Sequence, residues 1–307
     1  MGPLKAPYMS DHAGTNNGAV YLKLVMTAMF WGGTFIATRI AAQTFGPFTG
    51  AGIRYMIALV FLLPLAFHQN RQMFRIKGSQ LPILILLGLS GIFAYNYFFF
   101  KGLKTIPASR GALLAALNPT IVMVLSAIVY KEKITLRKLI GIIISLTGVV
   151  IVISRGKIIE LLSSIESGDL FMLGCPLTWA VYTLAARPAL KHASPLQATT
   201  WASLSGGLML LLLAFTEPYP QDVPLKVWGA LFYLGLIGTV VAFVWYYDGI
   251  KKIGPTRASI FNNLVPVFAV LFSVIILKEK VSWYTWIGGG MVIGGVLFVN
   301  LQRRIIR

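Results

Sequence analysis

The sequence has few of the residues that most catalytic, redox and metal sites require. Its 307 residues include one cysteine, three histidines and nine acidic residues. The single cysteine, Cys175, cannot form an internal disulfide, and the histidines (His12, His68 and His192) are scattered outside the long apolar runs. No Gly-x-x-x-x-Gly-Lys-Ser/Thr phosphate loop is present, so we expect no ATP-driven activity. Paired carboxylates, a metal cluster or a nucleophile beside a base are also missing, which argues against an enzyme. We expect no cofactor and no metal.

Charged residues as a whole are scarce. They make up 12% of the chain, against 57% hydrophobic residues, whereas a soluble globular protein carries about 25% charged residues. The polar side chains cannot cover a surface that faces only water, so we expect lipid to cover much of it. The formal charge of +18 does not indicate a nucleic-acid partner, because the basic residues lie between apolar runs, as they do in membrane proteins.

Long apolar runs are abundant instead. A helix needs about 20 apolar residues to cross a membrane, and the runs are continuously apolar rather than alternating as in barrel strands. The predicted spans are residues 20–41, 48–67, 80–100, 108–130, 136–153, 168–190, 195–215, 225–247, 255–277 and 283–301. We predict an all-α integral membrane protein of ten transmembrane helices.

The basic residues also predict the orientation. If both termini are cytoplasmic, 17 of the 27 lysines and arginines fall on that side, as the positive-inside rule favours. We interpret residues 1–18 as a polar N-terminal tail, because they lack the apolar core of a signal peptide. Residues 154–167 are a connecting loop, and 302–307 a basic C-terminal tail.

The chain contains an internal repeat. Residues 99–153 align without a gap on 246–300 at an offset of 147, with 16 of 55 positions identical. The matches include Pro119 with Pro266 and the triplet "KEK" at 131–133 with "KEK" at 278–280, which shared apolar composition would not produce. The start of each half corresponds at an offset of 148, where "FWGGTFIATR" lies on "TWAVYTLAAR". We therefore divide the chain into repeats at 19–153 and 168–301.

Each repeat holds five spans, and five is an odd number. The second repeat must therefore enter the membrane in the opposite orientation to the first, as in many secondary transporters that alternate access to a central site. The repeated Lys-Glu-Lys triplet fits a role in anchoring helix ends to headgroups. The alternative role is a salt bridge that opens and closes the passage.

The chain resembles the EamA family of the drug/metabolite transporter superfamily. The resemblance covers residues from about 20 to 301 and is carried by "ASRGALLAALNPTIVMVLSAIVYKEKIT" and "PTRASIFNNLVPVFAVLFSVIILKEKVS", each followed by a glycine-rich helix. It implies a bundle with a central cavity lined mainly by helices three, four, eight and nine, with one and six contributing. It further implies a carrier of small metabolites in the plasma membrane (the inner membrane in bacteria), commonly an exporter of amino acids. We expect a monomer whose partners are a small-molecule substrate and membrane lipid.

Polar and aromatic residues within the spans are the candidate cavity residues, because polar groups in a membrane usually face protein or water. They are Trp31, Tyr95, Asn96, Asn118, Trp179, Tyr182, Asn262 and Asn263. The asparagines near Pro119 and Pro266 either satisfy carbonyls freed by proline or present amides to a solute. The aromatic residues either pack, or lie in an interface belt, or form cavity walls.

Two arginines are weaker candidates for gating or for contact with an anion. Arg110 and Arg257 lie at the starts of helices four and nine, where a cation opposes the helix dipole. Their partner could be a lipid phosphate or a substrate carboxylate.

Three functions remain open. A metabolite or amino-acid exporter is favoured. A carrier of phosphorylated or nucleotide-linked sugars needs cations deep in the cavity, and we expect no lysine or arginine at mid-span. A receptor or enzyme is the third. No acidic residue is expected at mid-membrane either, although Asp169 and Asp248 lie near helix ends, so we expect transport without proton coupling.

Overall fold

The structure is a computed structural model that describes residues 18–69, 76, 78–131, 134–157, 159, 164–190, 193–253, 258 and 261–300. Within these residues all regular structure is helical. The candidate Arg257, Glu132 and Lys133 of the first triplet, and the tails at 1–17 and 302–307 lie outside the described residues.

A helical segment occupies each of the ten predicted spans. The first repeat holds α1 (Gly18–Ala42), α2 (Pro47–Gln69), α3 (Gly78–Thr105), α4 (Ala108–Val129) and α5 (Leu136–Ile153). The second holds α6 (Ser167–Ala189), α7 (Pro195–Ala214), α8 (Leu225–Ile250), α9 (Phe261–Ile276) and α10 (Trp283–Asn300). Eight of these described helices are long and apolar enough to cross a membrane, while α9 and α10 are shorter apolar helices. The predicted all-helical membrane bundle is confirmed.

Helices α4 and α9 are each irregular just before a proline. Helix α4 is interrupted after Ala115 and resumes at Asn118, with Pro119 in its new first turn. In α9 a 3-10 turn over Phe261–Leu264 leads into an α-helical segment that has Pro266 in its first turn. Proline lacks a backbone N–H and clashes with the preceding turn, so it fits best in the first turn of a helical segment.

Helices α3 and α8 each contain a π-helical stretch. These stretches cover Gly88–Ala94 and Tyr233–Val241. At the repeat offset the first corresponds to 235–241 (88 + 147 = 235 and 94 + 147 = 241), which lies inside the second. Wide turns of this kind often mark functional sites in helices, and here they recur in both repeats.

The packing of α5 against α10 gives the relative direction of the two repeats. A Cβ atom on Gly148 would lie 2.5 Å from the carbonyl oxygen of Gly288, and one on Gly295 would lie 2.6 Å from that of Gly141. The start of α5 therefore faces the end of α10, so the helices are antiparallel. Because these glycines are equivalent in the repeat, the two five-helix units are inverted, and small residues allow their backbones to approach closely.

Acidic residues of the second repeat cap helices of the first. Glu217, which follows α7, accepts hydrogen bonds from Phe48 N (3.2 Å) and Thr49 N (2.8 Å) at the start of α2. Glu279, which follows α9, accepts them from Ala108 N (2.7 Å) and Ser109 N (3.1 Å) at the start of α4. The first N–H groups of a helix have no partner within the helix, and a carboxylate there also complements the helix dipole.

The repeated triplet has a structural role that the sequence analysis did not anticipate. Lys131 and Lys278, its first residues, follow the ends of α4 and α9 with positive φ angles of 53° and 56°. Both helices thus end in the left-handed conformation that usually terminates a helix at glycine. In the second copy the chain then places Glu279 on the start of α4.

Candidate functional site

The first part of the site lies between α3, α4 and α6. The Tyr95 ring centroid is 5.6 Å from that of Trp179, which is 5.2 Å from that of Tyr182. The Asn118 side chain lies beside the Tyr95 hydroxyl. All four side chains are half-buried. The structure therefore brings these four predicted residues together, across the boundary between the repeats.

The second part of the site lies between α1, α8 and α9. Trp31 contacts the Phe243 and Tyr246 rings, at centroid distances of 5.4 and 5.2 Å, and donates a hydrogen bond from Nε1 to the carbonyl of Gly238 at 3.1 Å. The Asn262 amide donates to the Tyr246 hydroxyl at 3.2 Å. The carbonyl of Gly238 lies in the π-helical stretch of α8, so Trp31 is held by the irregular part of that helix.

Thr199 and Tyr247 lie between the two parts. Tyr182 of the first part lies beside Thr199 of α7, and the Thr199 hydroxyl hydrogen-bonds to the Tyr247 hydroxyl. Tyr247 stacks obliquely against Tyr246 of the second part, with ring centroids 6.5 Å apart. Tyr246, Tyr247 and Thr199 were not predicted. The available signal for the tyrosines was "WYY" at 245–247, the α8 counterpart of "FFF" at 98–100.

Two amide atoms of the predicted site residues have no hydrogen-bond partner among the described residues. They are Asn118 Oδ1 on α4 and Asn263 Nδ2 on α9, and both atoms are buried. A buried polar group without a partner is costly, and it commonly marks a position where something else binds. One of these atoms accepts hydrogen bonds and the other donates them.

Asn96 differs from the other predicted asparagines because its amide is fully engaged. It is 1% exposed, and its Nδ2 donates to Ile92 O at 2.7 Å and to the Tyr55 hydroxyl at 3.2 Å. Its Oδ1 accepts from Arg54 Nη1 at 3.0 Å. Asn96 thus supports neighbouring groups rather than offering a free amide.

The comparisons with known proteins agree with this architecture. The model of the EamA-like transporter family matches residues 18–154 and 166–301, which together span most of the chain and both repeats. This chain belongs to the EamA-like transporter family.

Several relatives of this EamA-like transporter align over most of their length. "Uncharacterized transporter YyaM" of Bacillus subtilis (strain 168) is 32% identical, over 93% of this chain and 95% of its own. An "Uncharacterized transporter" of Archaeoglobus fulgidus is 30% identical, over 94% and 99%. The "Probable terminal-alkyne amino-acid exporter" of Streptantibioticus cattleyicolor is 24% identical, over 90% and 92%.

A solved structure supports the fold. It is titled "Crystal structure of protein" and matches with a TM-score of 0.64 and 21% identity, covering 92% of this chain and 98% of its own. At this level of identity the match concerns the fold of the EamA-like transporter and not its substrate.

Of the two weak arginine candidates, the structure describes Arg110, and its partners lie elsewhere. Arg110 Nε and Nη2 donate to the two carboxylate oxygens of Asp169 at 2.7 and 2.5 Å, and Nη2 also reaches the carbonyls of Ile153 and Ser164. Arg110 is 7% exposed and Asp169 is 0% exposed, so this is a buried ion pair that joins α4 of the first repeat to α6 of the second. Arg257 lies outside the described residues.

Arg54 is the polar residue that the sequence analysis missed. The expectation that no lysine or arginine lies at mid-span was wrong: Arg54 of α2 is 7% exposed and hydrogen-bonds to Asn96 of α3 and Thr239 of α8, both well inside their helices. Arg54 is the eighth residue of α2. The signal was a lone basic residue within "TGAGIRYMIALVFLL", which ordinarily marks a functional position in a membrane segment.

Two clefts of the EamA-like transporter lie near helix ends. One of about 500 Å³ is lined by residues including Tyr219, Asp222 and Trp228, and one of about 400 Å³ by residues including Gln80, Pro188 and Ala193. Neither is lined by a predicted site residue. At the site itself, rings of the two repeats touch each other, as in Tyr95 with Trp179 and Trp31 with Tyr246.

Proposed function

We propose that this EamA-like transporter exports amino acids or closely related metabolites. In this proposal the inverted repeats expose a central site to each side of the membrane in turn, as paired repeats do in secondary transporters. Membership of the family and a relative named as a probable amino-acid exporter support it. The site would comprise the predicted residues of α1, α3, α4, α6 and α9.

The observation that carries the proposal is the pair of unpartnered amide atoms. Asn118 Oδ1 and Asn263 Nδ2 are contributed by α4 and α9, which are equivalent helices of the two repeats. An amino acid carries an ammonium group that requires an acceptor and a carboxylate that requires a donor. The half-buried rings of Tyr95, Trp179 and Tyr182 supply an apolar wall for the side chain of the substrate.

We further propose that transport follows the gradient of the solute itself or occurs by exchange. The two described acidic residues within spans are both ion-paired, Asp169 with Arg110 and Asp248 with Lys23 and Lys252. A carboxylate held by cations is a poor proton carrier. Reconstituted vesicles test this: uptake should not respond to an imposed pH gradient, and accumulation that an uncoupler abolishes would contradict it.

The second candidate function is transport of a sugar that carries a phosphate or a nucleotide. Arg54 favours it, because such solutes need a cation deep in the protein and Arg54 provides one. A single guanidinium balances the one charge of a carboxylate, whereas a phosphate monoester carries nearly two charges. The amino-acid proposal therefore stands first.

We propose that the protein lies in the plasma membrane with both termini cytoplasmic, and that the monomer is the working unit. The orientation rests on the 17 of 27 basic residues on that side and on the positive-inside rule. In this orientation Glu217 and Glu279 cap their helices on the outer side.

The test of the proposed function is resistance to toxic amino-acid analogues. Bacteria that overproduce the protein are grown on a panel of analogues, and export should raise the tolerated concentration of at least one of them. Asn118→Leu and Asn263→Leu should each abolish the gain, since each removes an amide that we assign to the substrate.

The matched control is Thr147→Val. Thr147 lies on the exposed side of α5 and bonds only to its own helix, at Ile143 O, so this polar-to-apolar change should leave resistance intact. Membrane abundance is measured for every variant. If resistance persists in both asparagine variants at normal abundance, the site is wrong. If no analogue is tolerated better by the wild type, amino-acid export is wrong.

A further inference from the structure

Arg54 lies deep in the bundle. It is seven residues from Pro47, the first residue of α2, which places it about 10 Å along the helix axis at roughly 1.5 Å per residue. It is 7% exposed. A charged side chain at this depth is retained only where it is paired or has a function.

The contacts of Arg54 with the protein are neutral. Its Nη1 donates to Asn96 Oδ1 at 3.0 Å, and Nε and Nη2 each donate to Thr239 Oγ1 at 3.2 Å. The guanidinium carbon lies 5.4 Å from the centroid of the Tyr55 ring. A guanidinium has five N–H donors, so one N–H on each terminal nitrogen has no partner among the described residues.

The carboxylates of the described chain are engaged elsewhere. Glu217 and Glu279 cap α2 and α4. Asp169 and Glu166 pair with Arg110 and Arg155, and Asp248 pairs with Lys23 and Lys252. The sixth, Asp222, lies in the loop before α8 and lines a cleft there. No ion pair of Arg54 occurs within the described residues, so its positive charge has no counter-charge there.

The surroundings of Arg54 direct that charge toward the candidate site. Thr239, whose side chain Arg54 binds, directly follows Gly238 in α8, and the carbonyl of Gly238 accepts the hydrogen bond from Trp31 of the site. The charge is also confined to one repeat, because the equivalent position in α7 is Ala202 (54 + 148 = 202). Packing that both repeats share does not require an arginine here.

We propose that Arg54, held by Asn96 and Thr239, binds the carboxylate of the transported solute. The free N–H groups on its two terminal nitrogens match the two oxygens of a carboxylate, the bidentate pairing for which guanidinium is suited. The inference rests on the proposed function in one respect, that the protein carries a solute. It adds a substrate class: solutes with one carboxylate group.

The first experiment needs no variant. The purified wild-type protein in detergent is heated with each L-amino acid and, separately, with the matching amino-acid amide, at constant ionic strength. We expect the acid to raise the unfolding temperature and the amide to do so less or not at all. Sodium chloride at the same concentration is a further arm. An effect of chloride equal to that of the acids would mean that the site responds to charge alone, and would overturn the carboxylate assignment.

The second experiment uses Arg54→Gln and Arg54→Lys. Glutamine should abolish the difference between acid and amide. Lysine, which keeps the charge but loses the planar pair of donors, should weaken acid binding by about ten- to a hundredfold, the range of hydrogen bonds to charged groups. Arg39→Gln is the matched control, because Arg39 is a helix arginine that bonds to the carbonyl of Leu103 and contacts none of the site residues named above. It should leave the difference unchanged.

The outcomes separate this inference from the proposed function. If the amino acids are exported but Arg54→Lys and Arg54→Gln bind acid and amide as the wild type does, the inference is wrong and the export proposal stands. If no amino acid is exported but other small carboxylates stabilise the wild type more than their amides, and Arg54→Lys reduces this, the inference stands without amino-acid export. If Arg54→Gln does not fold, the wild-type acid and amide pairs and Arg54→Lys still decide the question.

Discussion

Equivalent residues of the two repeats have the same role in α5 and α10 but have diverged in α2 and α7. In α5 and α10, equivalent glycines make equivalent contacts. Gly148 packs on Gly288, and Gly295 packs on Gly141. In the second pair the equivalent positions have diverged completely, to a buried arginine and a buried alanine, Arg54 and Ala202. Where two inverted units pack against each other, the same small residues in each unit allow the backbones to approach closely. If Arg54 binds one carboxylate as we propose, a single charge in one repeat is sufficient for that role.

The largest expected effect concerns the packing of α5 on α10. In Gly148→Leu the new Cβ would lie 2.5 Å from the Gly288 oxygen and 2.8 Å from Val292 N. Both are backbone atoms that cannot move aside, so we expect a loss of about 3 kcal/mol or more in the free energy of unfolding. The measurement is the yield of monodisperse protein and its denaturation in mixed micelles.

Gly290→Leu is the control for that change. A Cβ on Gly290 meets no atom within 4 Å, so the folded protein should be obtained in normal yield. If both variants lost the same free energy of unfolding, the close contact at Gly148 would not explain the loss.

The ion pair between Arg110 and Asp169 should have the next largest effect. Arg110→Leu leaves a buried carboxylate without its cation, which we expect to cost about 3–5 kcal/mol. The double variant Arg110→Leu with Asp169→Asn should recover part of the loss, because no buried charge is then left unpaired. Denaturant titration of the single and double variants in bicelles measures this coupling.

An exposed ion pair provides the comparison with this buried one. Arg155 pairs with Glu166, and their side chains are 51% and 35% exposed, so Arg155→Gln should cost no more than about 1 kcal/mol. If the two arginine variants lose similar stability, the buried pair does not join the repeats as we describe.

The smallest expected effect tests whether the repeated triplet ends both helices in the same way. Lys131→Gly and Lys278→Gly should each stabilise the protein by about 0.5–1 kcal/mol, because both lysines have positive φ angles that glycine adopts without strain. Thermal unfolding of the two variants measures the gain.

Lys104→Gly should have the opposite sign. Lys104 lies in the last turn of α3, where glycine costs up to about 1 kcal/mol. A gain at only one of the two triplets would indicate that α4 and α9 end differently despite the shared sequence.

The helical architecture could be predicted because it depends on features that are local in sequence. Ten apolar runs and an offset of 147 residues are visible without knowledge of packing. The breaks at Pro119 and Pro266 follow from the missing N–H of proline. The 3-10 turn over Phe261–Leu264 in α9 was not visible in the apolar pattern.

The site was predicted only in part because its partners come from distant segments. Aromatic rings and asparagines within spans indicated a polar interior, and Tyr95, Trp179 and Tyr182 do lie together. The partners of Arg54 and Arg110 lie on other helices, 185 residues away for Thr239 and 59 for Asp169. Sequence spacing cannot distinguish an arginine that is neutralised by a carboxylate from one that is not.

The π-helical stretches of α3 and α8 affect how any substitution in these helices should be interpreted. Each wide turn adds residues relative to a regular helix, so a helical wheel drawn through Gly88–Ala94 or Tyr233–Val241 assigns the following side chains to the wrong face. In α3, Tyr95 and Asn96 are the first two residues after the stretch. Scanning mutagenesis along α3 or α8 should therefore show two separate periodic patterns, one on each side of the wide turn and out of phase with each other.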